Sequence, residues 1–172
     1  MKHVKRGARY LRVCAPSSSE RDGGSWSRAH GGRWNPKAEF GALYLSATIE
    51  TARASAEKHV RDLFGDAISI YDLAPKARPE LHVLEVQEHR FVDAVTDAGI
   101  AELKLPKTFP RNSRHAPCQD AARAAYEAGE AGIAARSAAY PTGEELAIFE
   151  RFIATLTALR ERVEFPDWFE AT

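Results

Sequence analysis

The chain has 172 residues, with 24 lysines and arginines balanced by 24 aspartates and glutamates, so it carries no net charge. That length buries a core without staples, and the balance excludes the global field that draws a protein to nucleic acid or to an anionic membrane. The two cysteines, Cys14 and Cys118, lack the paired spacing of a zinc site and fit a reducing compartment. No apolar run approaches the roughly 20 residues that span a bilayer, and the N-terminal "MKHVKRGARYLRV" has the charge but not the apolar centre of a signal peptide. The expectation is a cytoplasmic protein, in one domain spanning 1–172, whose anion recognition is local.

In chain order, "RYLRV" (9–13) reads as a strand and "APSSSERDGGS" (15–25) as a polar loop. "ALYLS" (42–46) is a second strand. "TIETARASAEKHVRDLF" (48–64) carries Ile49, Ala52, Ala56, Val60 and Leu63 at helical spacing, with Thr48 placed to cap it. "AISIYDL" (67–73) and "LHVLEVQ" (81–87) are further strand candidates, separated by the proline-bearing "LAPKARPE". The basic "KLPKTFPRNSRHAP" (104–117), with Lys104, Lys107, Arg111, Arg114 and His115, reads as a solvated loop, lid or surface strap outside the core. "DAARAAYEAGEAG" (120–132) is a helix closed by glycine, followed by a short apolar strand. "ELAIF" (145–149) is a strand, and "FERFIATLTALRERV" (149–163) has the apolar stripe of a helix. Strands outnumber clean strand–helix–strand alternations, which predicts a mixed α+β domain.

The stretch "HGGRWNPKAEFGALYLS" holds the best pocket candidates. Gly31-Gly32 lets the backbone bend tightly and lets another group approach. Beside that bend, the planar guanidinium of Arg33 is suited to a bidentate grip on phosphate or carboxylate, or equally to clamping loop carbonyls. Trp34 reads as core filler, and Asn35-Pro36 as a turn. Strand alternation puts Tyr44 and Ser46 on one face, where an aromatic ring can stack on a planar ligand and a hydroxyl can bond a sugar or amide. On the 48–64 helix, Glu50 and Glu57 share one border of the buried stripe, while Ser55 and His59 lie toward the other. Ser137 lacks the G-x-S-x-G frame of a nucleophile elbow, which favours a hydrogen-bonding role or turn duty. Phosphate-loop, dinucleotide-fingerprint and metal-ligand motifs do not occur in the sequence.

The order of these pieces resembles the RES domain, the toxin half of RES–Xre toxin–antitoxin pairs. "GGRWNPKAEFGALYLS" looks like the family's opening signature and "ETARAS" like the helix after it. "QDAARAAYEAGEAGIAARSA" is similar to the segment leading to the family serine, and "GEELAIF" to its late strand. The resemblance implies an ADP-ribosyltransferase-like split β core with flanking helices around an NAD+ cleft. NAD+ would be consumed as substrate by cleavage of the nicotinamide–ribose bond, with water, phosphate or a protein as acceptor and no metal required.

By motif, the family arginine falls on Arg33, the tyrosine on Tyr44 and the serine on Ser137. The family glutamate position is occupied by Ser55, which leaves Glu57, and behind it Glu50, as substitutes. Arg33, with Arg12 as a second grip, would hold the pyrophosphate, and Tyr44, Ser46 and Ser137 would complete the cofactor site. The implied partner is an Xre-like helix-turn-helix antitoxin covering the cleft, with no direct contact to nucleic acid or membrane. Two alternatives stand beside this: a catalytically silent module acting only within a complex with that DNA-binding partner, and a plain nucleotide-binding domain.

Overall fold

The computed structural model describes residues 1–16, 24–111 and 114–170. Most of the 15–25 loop expectation and part of the 104–117 segment therefore lie outside the described residues. Six strands, β1 (His3–Cys14), β2 (Ala42–Ser46), β3 (Glu80–Ala94), β4 (Gly132–Arg136), β5 (Glu144–Phe149) and β6 (Thr157–Val163), form one mixed sheet. Among the described residues, five α-helices accompany them: α1 (Ser25–His30), α2 (Ile49–Phe64), α3 (Asp97–Glu102), α4 (His115–Glu127) and α5 (Glu150–Leu156).

The order β1-β2-β5-β4-β3 closes on itself because β1 also pairs with β3 along nearly its whole length, from His3↔Val92 to Cys14↔Glu80. The result is a small barrel with β6 added to the free edge of β3. Among the described residues, only the β3–β4 pairing is parallel. Closure leaves part of β3 without a partner on one side, and β6 covers that edge, so fewer backbone groups stand unpaired.

Alternation along β2 and β5 sorts the core. Leu43, Leu45, Leu146 and Ile148 point into one cluster with Leu84, Val86, Phe91, Ile153 and Leu156. Ala42, Ala147 and Phe149, on the opposite face, pack under α4 with Trp34, Phe40 and Ala122. α2 lies against β1 and β2, and its Ala52, Ala56 and Val60 join Leu11, Leu81, Val83 and the C-terminal Trp168 and Phe169 in a third cluster. Its start is fixed as the sequence suggests, since the Thr48 side chain accepts from the Thr51 amide at 3.2 Å. Leu63, assigned to the buried stripe by spacing, is instead 61% exposed, as is its neighbour Phe64 at 55%.

Several expectations change. Residues 67–73 form no strand; Ile70–Asp72 is a single 3-10 turn, closed locally by the Ser69 amide donating to Asp72 at 2.7 Å. The 149–163 helix ends at Leu156, and Thr157–Val163 continues as β6, paired antiparallel with β3 from Val86↔Thr157 to Leu81↔Val163. An available sheet edge overrides the helical spacing there, and β-branched Thr157 sits at the switch with its hydroxyl donating to the Ile153 carbonyl. α4 begins at His115, five residues before the predicted 120, with Pro117 tolerated in its first turn. The basic 104–117 segment is not wholly outside the core, for Leu105 and Phe109 are buried in the cluster around Trp34. Among the described residues, no helix is long and apolar enough to cross a membrane.

Candidate active site

The glycine pair does two different jobs. Gly31, at φ 78°, ends α1 by donating its amide to Ser27 at 2.7 Å, a conformation that favours glycine. Gly32 opens a tight turn whose amide donates to the Asn35 carbonyl at 2.9 Å. A Cβ on Gly32 would run into the Tyr44 hydroxyl and the Asn35 side chain. That close approach is the reason for glycine there.

Asn35 is fully buried and ties the turn together. Its side-chain amide donates to the Ser27 and Phe40 carbonyls at 2.8 and 3.1 Å, while its oxygen accepts from the Tyr44 hydroxyl at 2.7 Å. The same Tyr44 oxygen accepts from the Trp34 amide at 2.9 Å. Burial raises the Tyr44 pKa, so the phenol stays protonated and donates to Asn35. On the outer side of the turn, Gln119 of α4 donates to the Gly32 carbonyl at 2.8 Å. Arg33, held between these anchors, donates to the Pro110 carbonyl at 2.7 Å. The basic segment thus serves as one of the loop carbonyls that Arg33 clamps.

This turn forms one wall of a cleft of about 450 Å³. Arg12 of β1, Arg33 and the β2 residues Ala42, Leu43 and Tyr44 line it, as do His115 at the start of α4 and Ala138-Ala139 after β4. α2 contributes Ser55, Lys58, His59 and Asp62, spaced so that all four fall within an arc of roughly 100°. The remaining lining carboxylate is Glu145 of β5. Its Oε1 accepts from the Ser137 hydroxyl at 2.6 Å and from the Ser55 hydroxyl at 3.5 Å. Burial pushes the Glu145 carboxyl up, opposed first by the Ser137 hydrogen bond and then by Arg33, Ser55 and Lys58.

His115 is held below its ordinary value, chiefly by burial and then by Arg33 and Lys58, so the imidazole is neutral at pH 7. Cys118, also within electrostatic reach of Arg33, is pushed up to about 11 by burial and remains a protonated thiol, a poor nucleophile.

Against the residues named from sequence, the cleft brings together Arg12, Arg33 and Tyr44. Ser137 is 1% exposed and stands behind Glu145, its oxygen accepting from the Ala139 and Tyr140 amides at 3.2 and 3.3 Å. Ser46 is buried in β2 opposite Glu145 and does not line the cleft. Glu50 and Glu57 are exposed on α2, away from the cleft. Glu57 lies roughly 200° around the helix from Ser55, so no small register change brings it in.

The sequence reading did not single out Glu145, Lys58 or Asp62. Lys58 and Asp62 follow Ser55 at helical spacing. Glu145 is found only through the register Ser46↔Glu145 and Tyr44↔Ala147, which puts it on the Tyr44 face.

A second hollow of about 470 Å³ lies by His3, Lys5, Glu88 and Glu130. Its polar groups already pair with one another: His3 contacts Glu130 at 2.9 Å and Arg90 at 3.2 Å, and Lys5 contacts Glu88 at 3.5 Å. The Arg33 cleft gathers Arg12 and Arg33, with Lys58 paired to Asp62 on α2, beside the Tyr44 ring on a chain of zero net charge. A mixed α+β barrel with a cationic, aromatic-walled cleft is the class of protein this geometry defines. The RES domain family model matches residues 6–167, and the chain belongs to that family.

The fold is similar to that of a chain in the crystal structure of the M. tuberculosis MbcT–MbcA toxin–antitoxin complex. The TM-score is 0.83 at 19% identity, covering 98% of this chain and 92% of that one. A comparison with curated protein sequences finds no match.

Proposed function

We propose that this RES-domain chain is the toxin of a toxin–antitoxin pair and acts in the cytoplasm, as one domain of ADP-ribosyltransferase-like design, by consuming NAD+. The observation that carries the reading is the cleft itself, in which Arg33, anchored by the Pro110 carbonyl, shares about 450 Å³ with Arg12, Lys58 and the Tyr44 ring. That volume falls in the range of small-molecule sites, roughly 300–1,000 Å³. Arg33, with Arg12 beside it, suits a diphosphate, which a guanidinium holds through paired hydrogen bonds. Tyr44 offers the nicotinamide a rigid aromatic edge, since its hydroxyl is committed to Trp34 and Asn35.

Cleavage of the nicotinamide–ribose bond develops positive charge on the ribose, as glycoside cleavage does. Nicotinamide leaves as a neutral molecule, so positioning and electrostatics supply most of the acceleration. Ser137 contributes by fixing the carboxylate in front of it, and the acceptor is water, phosphate or a protein side chain. Because a chain of this fold occurs in a toxin–antitoxin complex, we infer an antitoxin partner of helix-turn-helix type that covers the cleft.

The experiment is induction of the chain without its partner in a bacterial host, following growth and cellular NAD+. Arrest with falling NAD+ supports hydrolysis or phosphorolysis, and arrest at constant NAD+ supports protein modification. Arg33→Ala abolishes either effect; a folded Arg33→Ala protein that stays fully toxic refutes the clamp. The second reading, a catalytically silent module, is favoured by Ser55 at the position where the family resemblance puts glutamate. Normal growth and unchanged NAD+ would select it.

A further inference from the structure

We propose that Glu145 of β5 is the carboxylate that faces the ribose in this cleft, with Ser137 and Ser55 as its positioning residues, and that no carboxylate of α2 takes that place. The inference rests on the NAD+-consuming reading and goes beyond it by naming the group that meets the developing charge.

The first observation is geometric. Ser55, the α2 position that the resemblance associates with glutamate, reaches Glu145 directly, with its hydroxyl 3.5 Å from Oε1. The two positions share one spot on the cleft wall. A carboxylate at both would set like charges against each other in a partly buried site, raising the pKa of one of them strongly. Serine at 55 is small and donates a hydrogen bond, which is what a glutamate arriving from β5 requires.

The second observation fixes the direction of the hydrogen bonds. The Ser137 oxygen already accepts from the amides of Ala139 and Tyr140, so its proton is directed to Glu145 Oε1 at 2.6 Å. Ser55 converges on the same oxygen. Both positioning contacts are therefore on Oε1, and Oε2 remains for a ligand.

The third is electrostatic. Arg33 and Lys58 both favour the charged carboxylate against burial, while Arg12, Tyr44, His59, Asp62 and His115 are the other titratable groups on the cleft wall. Asp62, the other lining carboxylate among the described residues, is engaged by Lys58 on its own helix.

The bond between ribose C1′ and the nicotinamide nitrogen breaks, its electron pair leaving with neutral nicotinamide, and C1′ takes up positive charge opposite the Glu145 carboxylate. The acceptor, water in the simplest case, forms the new bond to C1′ through its oxygen. It gives its proton to Glu145, which passes it to solvent. The products are nicotinamide, ADP-ribose and one proton.

The test uses the purified full chain with NAD+ in phosphate buffer containing a bacterial protein extract, which supplies water, phosphate and protein acceptors together. Nicotinamide release is read by chromatography, and ADP-ribose affinity by calorimetry. Glu145→Gln lowers the rate at saturating NAD+ by roughly 10²- to 10³-fold, in the range lost with a general base or a charge-stabilising group, and changes ADP-ribose affinity less than about threefold. Glu50→Gln and Glu57→Gln stay within about twofold of the parent. The paired change Ser55→Glu with Glu145→Gln, which returns the carboxylate to α2, recovers at least about tenfold over Glu145→Gln alone.

Ser137→Ala removes a hydrogen bond that favours the ionised carboxylate, so the acid limb of the rate profile moves to higher pH, a shift that a merely structural serine would not cause. If Glu145→Gln fails to fold, an unmoved acid limb in Ser137→Ala overturns the proposal by itself. A parent chain that releases nicotinamide and a Glu145→Gln chain that releases it equally fast refute the role of Glu145 while leaving the NAD+ reading intact. A parent chain that releases none refutes both.

Discussion

Removing one oxygen from Tyr44 tests how the arginine turn is held. In Tyr44→Phe the ring keeps its packing, but the Trp34 amide loses its acceptor at 2.9 Å and the Asn35 oxygen loses its donor at 2.7 Å. Both residues are buried, Trp34 at 1% and Asn35 at 0% exposure, so replacement by water is poor. An orphaned buried polar group costs about 1–3 kcal/mol. The two together amount to roughly 2–5 kcal/mol, a little offset by no longer desolvating the hydroxyl. For a chain of this size each kcal/mol moves Tm by roughly 2–4 °C, so the expected fall is roughly 4–20 °C. Urea and thermal denaturation followed by circular dichroism measure it. A loss below about 0.5 kcal/mol would mean that the hydroxyl does not organise the turn, and the account of how Arg33 is presented would be wrong.

Gly32→Ala drives a methyl group into the Tyr44 hydroxyl and the Asn35 side chain, and it should cost at least about 2 kcal/mol and weaken ADP-ribose binding by an order of magnitude. Native-like melting with native affinity would show that the turn has slack. Glu145→Gln should raise Tm even as it removes activity, because the site holds the carboxyl above its ordinary value through burial. The sign follows from linkage: a carboxyl raised in the folded state contributes stability below its unfolded pKa and loses it as pH rises through its folded value. The Tm gap between Glu145→Gln and the parent therefore widens as pH rises above the ordinary carboxylate range, and a gap that stays constant there contradicts the assignment.

The elements legible from sequence are those in which local pattern and tertiary environment agree. α2 shows its cap at Thr48 and its stripe at Ala52, Ala56 and Val60, and β2 alternates Leu43 and Leu45 against Ala42 and Tyr44. The elements misread are those where a partner elsewhere in the chain decides. Residues 157–163 carry helical spacing, yet they lie beside the open edge of β3, and backbone pairing there outweighs a weak helical preference. Residues 67–73 look like a strand but meet no edge, so Asp72 closes a local turn instead.

The sequence by itself determined the mixed architecture, the zero net charge and the arginine turn, because Gly31-Gly32, Arg33 and Tyr44 act through near neighbours whose spacing is written in the chain. Only the tertiary structure decided which carboxylate enters the cleft. Glu50 and Glu57 looked suitable by proximity in sequence, but helical rotation turns them outward. Glu145 lies 90 residues from Ser55 and meets it through the β2–β5 register. Side-chain direction on a helix or strand is local, whereas the pairing of two surfaces depends on how the barrel closes, and that is where the charge of the site was settled.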